Sequence, residues 1–239
     1  MTADWKMSKM PFGQGAPFNQ LSAKRFSPYI SALNRTTRPN KKLNIMTKGR
    51  MEAFSDGVLA IIITIMVLEM KPPHGATMEE LRPLYAKFLS YVLSFVFLGI
   101  YWNNHHHMLQ AVKRVNGRIL WANMHLLFWL SLVPFTTAWM GENHFASLPV
   151  ALYGIDLLLS GVAYYILSQV LIGHHGKDST LARAVGRDIK GIISAVVYAV
   201  SIPMAFINSM IACTLFVVVA VMWLIPDKRI ERVLMSGEE

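Results

Sequence analysis

Residues 50–69, RMEAFSDGVLAIIITIMVLE, decide how the chain is read. The stretch is long and apolar enough to cross a bilayer, yet Arg50, Glu52, Ser55 and Asp56 crowd its first turns. An ionisable group costs about 2.5–3.5 kcal/mol if carried to the bilayer centre, so these side chains need water or partners on other helices. From Ile61 to Leu68 the segment carries no charge and a single hydroxyl, Thr64. A polar knot followed by a clean aliphatic run suggests a pore-lining helix with a hydrophobic constriction. The same residues also suit a plain buried span with a capping cluster at its start.

Composition places the segment in a membrane protein. The chain has 239 residues, 54% hydrophobic and 15% charged, with mean hydropathy +0.38. Soluble domains carry about 25% charged residues. The single cysteine, Cys213, excludes an intramolecular disulfide and a cysteine metal cluster. The formal charge of +9 is concentrated at one end, because residues 1–49 hold nine Lys or Arg against one acid, Asp4. Residues 1–46, with Pro11, Pro17, Pro28 and Pro39, read as a disordered basic arm. Such an arm marks the cytoplasmic side or touches anionic lipid, and no nucleic-acid partner is expected.

Six stretches have the length of about 20 residues that spans a hydrocarbon core. They are 51–70, 84–107, 118–140, 148–172, 189–207 and 209–225. Pro134 and Pro203 fall inside the third and fifth, where a membrane helix tolerates them as kinks. Basic residues gather in the N-terminal arm, around Lys113 and Arg114, at Lys177, Arg183 and Arg187, and at Lys228, Arg229 and Arg232. Both termini are therefore expected in the cytoplasm of a cell-membrane protein. The expected organisation is the arm (1–46), one all-α membrane domain of six helices (47–226) and a cytoplasmic tail (227–239).

At 100° per residue, Phe54, Gly57, Ile61, Thr64 and Leu68 share one face of the first helix. The helix is apolar all round, so periodicity leaves open which face meets lipid and which meets protein. One helix cannot enclose a pore; several copies around an axis are required. Rings of Ile or Leu would then gate by dewetting, and a ring of Thr64 hydroxyls would offer oxygens to a partly dehydrated cation. The sequence contains no TVGYG-like filter.

Arg50, Phe54, Ser55 and Asp56 form an R-x-x-x-F-S-D pattern that resembles the transmembrane protein 175 potassium-channel family. Tyr101, Trp102 and His105 resemble that family's Y-W-x-x-H. Leu120, Trp121 and Asn123 resemble its L-W-x-N, and Pro134, Phe135 and Thr137 its P-F-x-T. The resemblance covers about residues 48–225. It implies a cation channel without a cofactor, permeated by K+ and other monovalent cations and surrounded by membrane lipids. It places the pore constriction and selectivity layers on Ile61, Thr64 and Leu68. A chain with one six-helix repeat is expected to form a homotetramer. Ser55 and Asp56 are expected to bond Trp102, His105 and Asn123 on the second and third helices, with Arg50 closing the network near the cytoplasmic surface.

Other polar residues carry weaker signals. His105, His106 and His107 point about 100° apart and cannot converge on one metal ion from a single helix. No metal is expected. Asp156, inside the fourth span, is a functional candidate by position, with His125 or Asn143 as possible partners. Asp156 and His125 together would suit the alternative of an ion- or proton-coupled secondary transporter. Glu69, at the end of the first helix, would form an acidic ring at an outer pore mouth. No nucleophile–base pair, nucleotide loop or metal motif points to an enzyme.

Overall fold

The computed structural model describes residues 47–112, 114–176, 179, 182 and 188–225. The arm expected over 1–46 and the tail over 227–239 lie outside them. So do Lys113, Lys177, Arg183, Arg187, Lys228, Arg229 and Arg232, on which the orientation largely rests. Among the described residues all regular structure is helical. The helices are α1 (Lys48–Leu68), the short α2 (Met78–Leu81), α3 (Tyr85–Gln110), α4 (Gly117–Leu130), α5 (Val133–Glu142), α6 (Ser147–His175), α7 (Ile189–Ile207) and α8 (Ser209–Leu224).

The helix ends follow from local chemistry. Asn116 caps α4 by accepting from the Ile119 N–H at 3.0 Å, and Asp188 caps α7 through Gly191 N–H at 2.8 Å. Gly176 ends α6 at φ 92°, a left-handed conformation that glycine adopts without a Cβ penalty. Pro134 sits in the first turn of α5, where its missing N–H costs nothing. The third expected span is thereby split into α4 and α5 around Ser131 and Leu132. Asn208 ends α7 and caps α8, its side chain accepting from Met210 N–H at 2.9 Å.

Five stretches of helix are long and apolar enough to cross a membrane: Lys48–Leu68, Met78–Gln110, Gly117–Glu142, Ser147–His175 and Ile189–Ile207. The sixth expected span is apolar but shorter. α8 has 16 residues, a rise of about 24 Å at helical pitch. Asn208 sets its start, and Ile225 turns extended ahead of Pro226, as residues before proline do.

Two apolar cores hold the bundle. One joins Leu59, Ile62 and Met66 of α1 to Leu98 and Leu109 of α3, Ile119 and Leu126 of α4, and Leu167 and Leu171 of α6. The other joins Phe97 of α3, Met140 of α5, Tyr153 and Leu157 of α6, Tyr198 of α7 and Phe216 of α8. α1 packs against α3, α4 and α5.

α5 approaches α3 closely at Gly141, where an added Cβ would lie 2.8 Å from the Lys87 backbone. At Gly173 an added Cβ would meet nothing within 4 Å. Gly141→Ala is expected to lower stability by about 1–3 kcal/mol, the usual cost of overpacking. Gly173→Ala is expected to be neutral or slightly stabilising. Thermal unfolding of the purified variants checks both.

Candidate functional site

α1 has two distinct faces. Met51, Ser55, Leu59, Ile62 and Met66, spaced three and four residues apart, are buried in the subunit. Phe54 (51% exposed), Ile61 (58%) and Leu68 (75%) face outward, with Gly57 and Thr64 exposed between them. Among the described residues nothing covers this stripe. The Thr64 hydroxyl is 3.0 Å from both the Ala60 and Ile61 carbonyls, so its proton is held by its own helix. Its lone pairs remain as acceptors on the outward side.

The packed face is fastened by a chain of buried polar groups. Asn123 Nδ2 of α4 donates to Ser55 Oγ at 2.9 Å, and Ser55 Oγ donates to the Met51 carbonyl at 2.9 Å. Asn123 Oδ1 lies 2.8 Å from His105 Nε2 of α3. An amide oxygen only accepts, so His105 carries its proton on Nε2. Beside this chain, Trp102 Nε1 donates to Asp56 Oδ1 at 3.1 Å. Ser55, Asp56, Trp102, His105 and Asn123 thus meet across α1, α3 and α4.

Arg50 and Phe54 do not join them. Both are exposed. Arg50 lies four residues before Phe54, at the start of the outward stripe, which turns it away from Ser55. The network is closed by residues that the sequence reading missed. Glu52 Oε1 lies 3.4 Å from His106 Nδ1, His106 stacks on Trp102 with centroids 6.0 Å apart, and Gln110 Nε2 lies 2.9 Å from His106 Nε2. Lys48 Nζ then donates to the Gln110 carbonyl at 3.2 Å. The available signal was spacing: Glu52 and Asp56 are four apart on α1, as are Trp102, His106 and Gln110 on α3.

The remaining candidates lie elsewhere. Among the described residues no cluster of three or more His, Cys, Asp or Glu has metal-binding geometry. Asp156 meets neither of its expected partners. Its Oδ2 accepts from Thr136 Oγ1 at 3.0 Å, while His125 Nε2 accepts from Trp129 Nε1 at 3.0 Å and Asn143 donates to the Trp139 carbonyl at 2.8 Å. Asp156 and His125 thus bond different partners, Thr136 and Trp129. Glu69 is exposed at the end of α1.

Comparison with known proteins gives concordant matches. Residues 50–134 match the family model described as endosomal/lysosomal potassium channel TMEM175. A potassium channel of Chryseobacterium sp. (strain P1-3) is 56% identical over 187 residues, 78% of this chain and 97% of that protein. The endosomal/lysosomal proton channel TMEM175 of Danio rerio is 26% identical over 132 residues, 53% of this chain and 24% of that protein. The crystal structure of a lysosomal potassium-selective channel TMEM175 homolog from Chamaesiphon minutus superposes with a TM-score of 0.65. It shares 28% sequence identity and covers 74% of this chain and 96% of that one.

Asn123 is the hinge of the buried chain. Asn123→Ala leaves Ser55 and His105 without that partner and is expected to destabilise by about 1–3 kcal/mol. A Ser55→Ala and Asn123→Ala double-mutant cycle, read by thermal or denaturant unfolding, is expected to show coupling of about 0.5–3 kcal/mol. Additive effects would contradict a direct bond.

Proposed function

The chain belongs to the TMEM175 family of ion channels, and on that premise we propose that it is a potassium-permeable cation channel built as a homotetramer of six-helix subunits. Four copies of α1 surround the conduction axis. Ile61 and Leu68 form aliphatic rings that exclude water when narrow, and Thr64 supplies a ring of hydroxyl oxygens between them. α8 serves as the sixth span, and both termini lie in the cytoplasm of a cell-membrane protein. The permeating ion is the only ligand, and no cofactor is required.

The outward face of α1 carries this reading. It holds a continuous stripe from Arg50 through Phe54, Gly57, Ile61 and Thr64 to Leu68, while the opposite face is fully engaged in the subunit. The relatives named as potassium channels support K+ as the permeating ion. The polar knot lies on the packed side, so its proposed role is to hold α1 in position for assembly and opening. Ion choice falls to the outward residues.

Flux from proteoliposomes tests the constriction. Ile61→Asn and Ile61→Cys are expected to change K+ flux or K+/Na+ preference at least about tenfold, equivalent to about 1.4 kcal/mol in the barrier. If both variants conduct like wild type, the narrow point is not at Ile61. Glu69→Gln is expected to lower conductance at low salt and to lose that effect at high salt, where a ring of charge at the pore mouth is screened.

A further inference from the structure

Inside the subunit, away from α1, one acid is left half satisfied. Asp156 lies nine residues into the 29-residue α6 and is 4% exposed. Thr136 Oγ1 bonds its Oδ2, but among the described residues its Oδ1 has no partner. Ser160, one turn further along the same face, is 0% exposed, and its Oγ also has no partner among the described residues. Two orphaned oxygens therefore lie on successive turns of one face of α6, the first on the carboxyl that Thr136 bonds.

Among the described residues no side chain forms an ion pair with Asp156. Tyr153 of the same helix and Tyr101 of α3 are the ionisable groups that feel the Asp156 charge. Tyr198 of α7 and Cys213 of α8 lie behind them, against Tyr153. All four are neutral acids. His125 of α4 is bonded to Trp129. A bare carboxylate in a low-dielectric interior is strongly disfavoured, so the group requires a positive charge from outside the chain.

We propose that Asp156, Ser160 and Thr136 form an internal site for one monovalent cation, either a proton or a small alkali ion. Hard hydroxyl and carboxylate oxygens suit such an ion and not a soft transition metal. Open space adjoins α6 from Gly161, the residue after Ser160. A cavity of about 300 Å³ between α3, α6, α7 and α8 is lined by Tyr101, Asn104, Gly161 and Tyr198. The Tyr101 hydroxyl would stand 3.7 Å from a Cβ at Gly161, the residue after Ser160. The site uses no residue of α1 and does not depend on the pore assignment.

The test uses the full chain in lipid nanodiscs, with infrared spectra and thermal midpoints recorded across pH. Sodium, potassium or choline is the only cation present. A protonated-carboxyl band that Asp156→Asn removes and Ser160→Ala shifts, indifferent to the alkali ion, identifies a proton. A midpoint raised by sodium or potassium over choline, with the gain lost in both variants, identifies an alkali ion. The proposal is overturned if neither appears, or if any cation effect persists unchanged in the variants. Ser160→Ala keeps the carboxyl and remains informative if Asp156→Asn fails to fold.

Discussion

Ser55, Asn123 and His105 are bonded to one another where water does not reach, and the orientation of α1 depends on that chain. Between membrane helices lipid provides no hydrophobic drive towards association, so packing and hydrogen bonds must set how each helix is turned. Asn123 serves both neighbours at once, donating to Ser55 and accepting from His105. Turning α1 by one residue would swing Ser55 through about 100° and leave the Asn123 amide N–H without its acceptor. The bonded setting places Leu59, Ile62 and Met66 in the core and leaves the stripe of Phe54, Ile61 and Leu68 outside. The character of the outer face is thus decided by the polar groups on the inner one.

A second, wetter layer flanks this chain. Trp102 to Asp56, Glu52 to His106 and Lys48 to the Gln110 carbonyl join α1 to α3 at partly exposed positions. Exposed pairs of this kind contribute about 0–1 kcal/mol each. Their value lies in direction, since they bind the same two helices at three successive turns. Further along the bundle, Lys87 and Glu142 join α3 to α5 at 2.9 Å, near the tight contact at Gly141. α3 is therefore the common support, gripped by α1 over its second half and by α5 over its first.

Much of this was legible in the residues. Long apolar runs gave the helices, because a bilayer leaves a spanning backbone few alternatives. Ser55, Asp56, Trp102, His105 and Asn123 stood out as polar groups on greasy spans, and the structure brings them within bonding reach. Other features needed coordinates. Periodicity was silent on which face of α1 packs, since every face is apolar. Arg50 has the charge to close the knot, yet its angular position carries it onto the outward stripe. Helix geometry separates the three histidines, but that His106 is the one that meets Glu52 follows only from how α1 packs on α3. Asp156 suits a histidine partner by sequence, but the near neighbour is a hydroxyl, Thr136, on α5, which begins after the break at Ser131 and Leu132.

A cyclic arrangement makes the outward stripe more consequential than its size implies. On the proposed fourfold assembly every helix uses the same face, so each residue of the stripe appears as a ring of four. Ile61 then contributes four branched side chains to one layer, and Thr64 four hydroxyls to another about 4.5 Å along the axis, three residues at helical rise. A cation moving between them exchanges a dewetted layer for an oxygen-rich one within a distance comparable to its hydration shell. The Thr64 protons are already committed to the Ala60 and Ile61 carbonyls. The ring therefore presents lone pairs towards the axis and not donors, the polarity that favours a cation over an anion. Placing that ring between aliphatic layers, with water excluded on either side, strengthens each oxygen–ion contact through the low local dielectric.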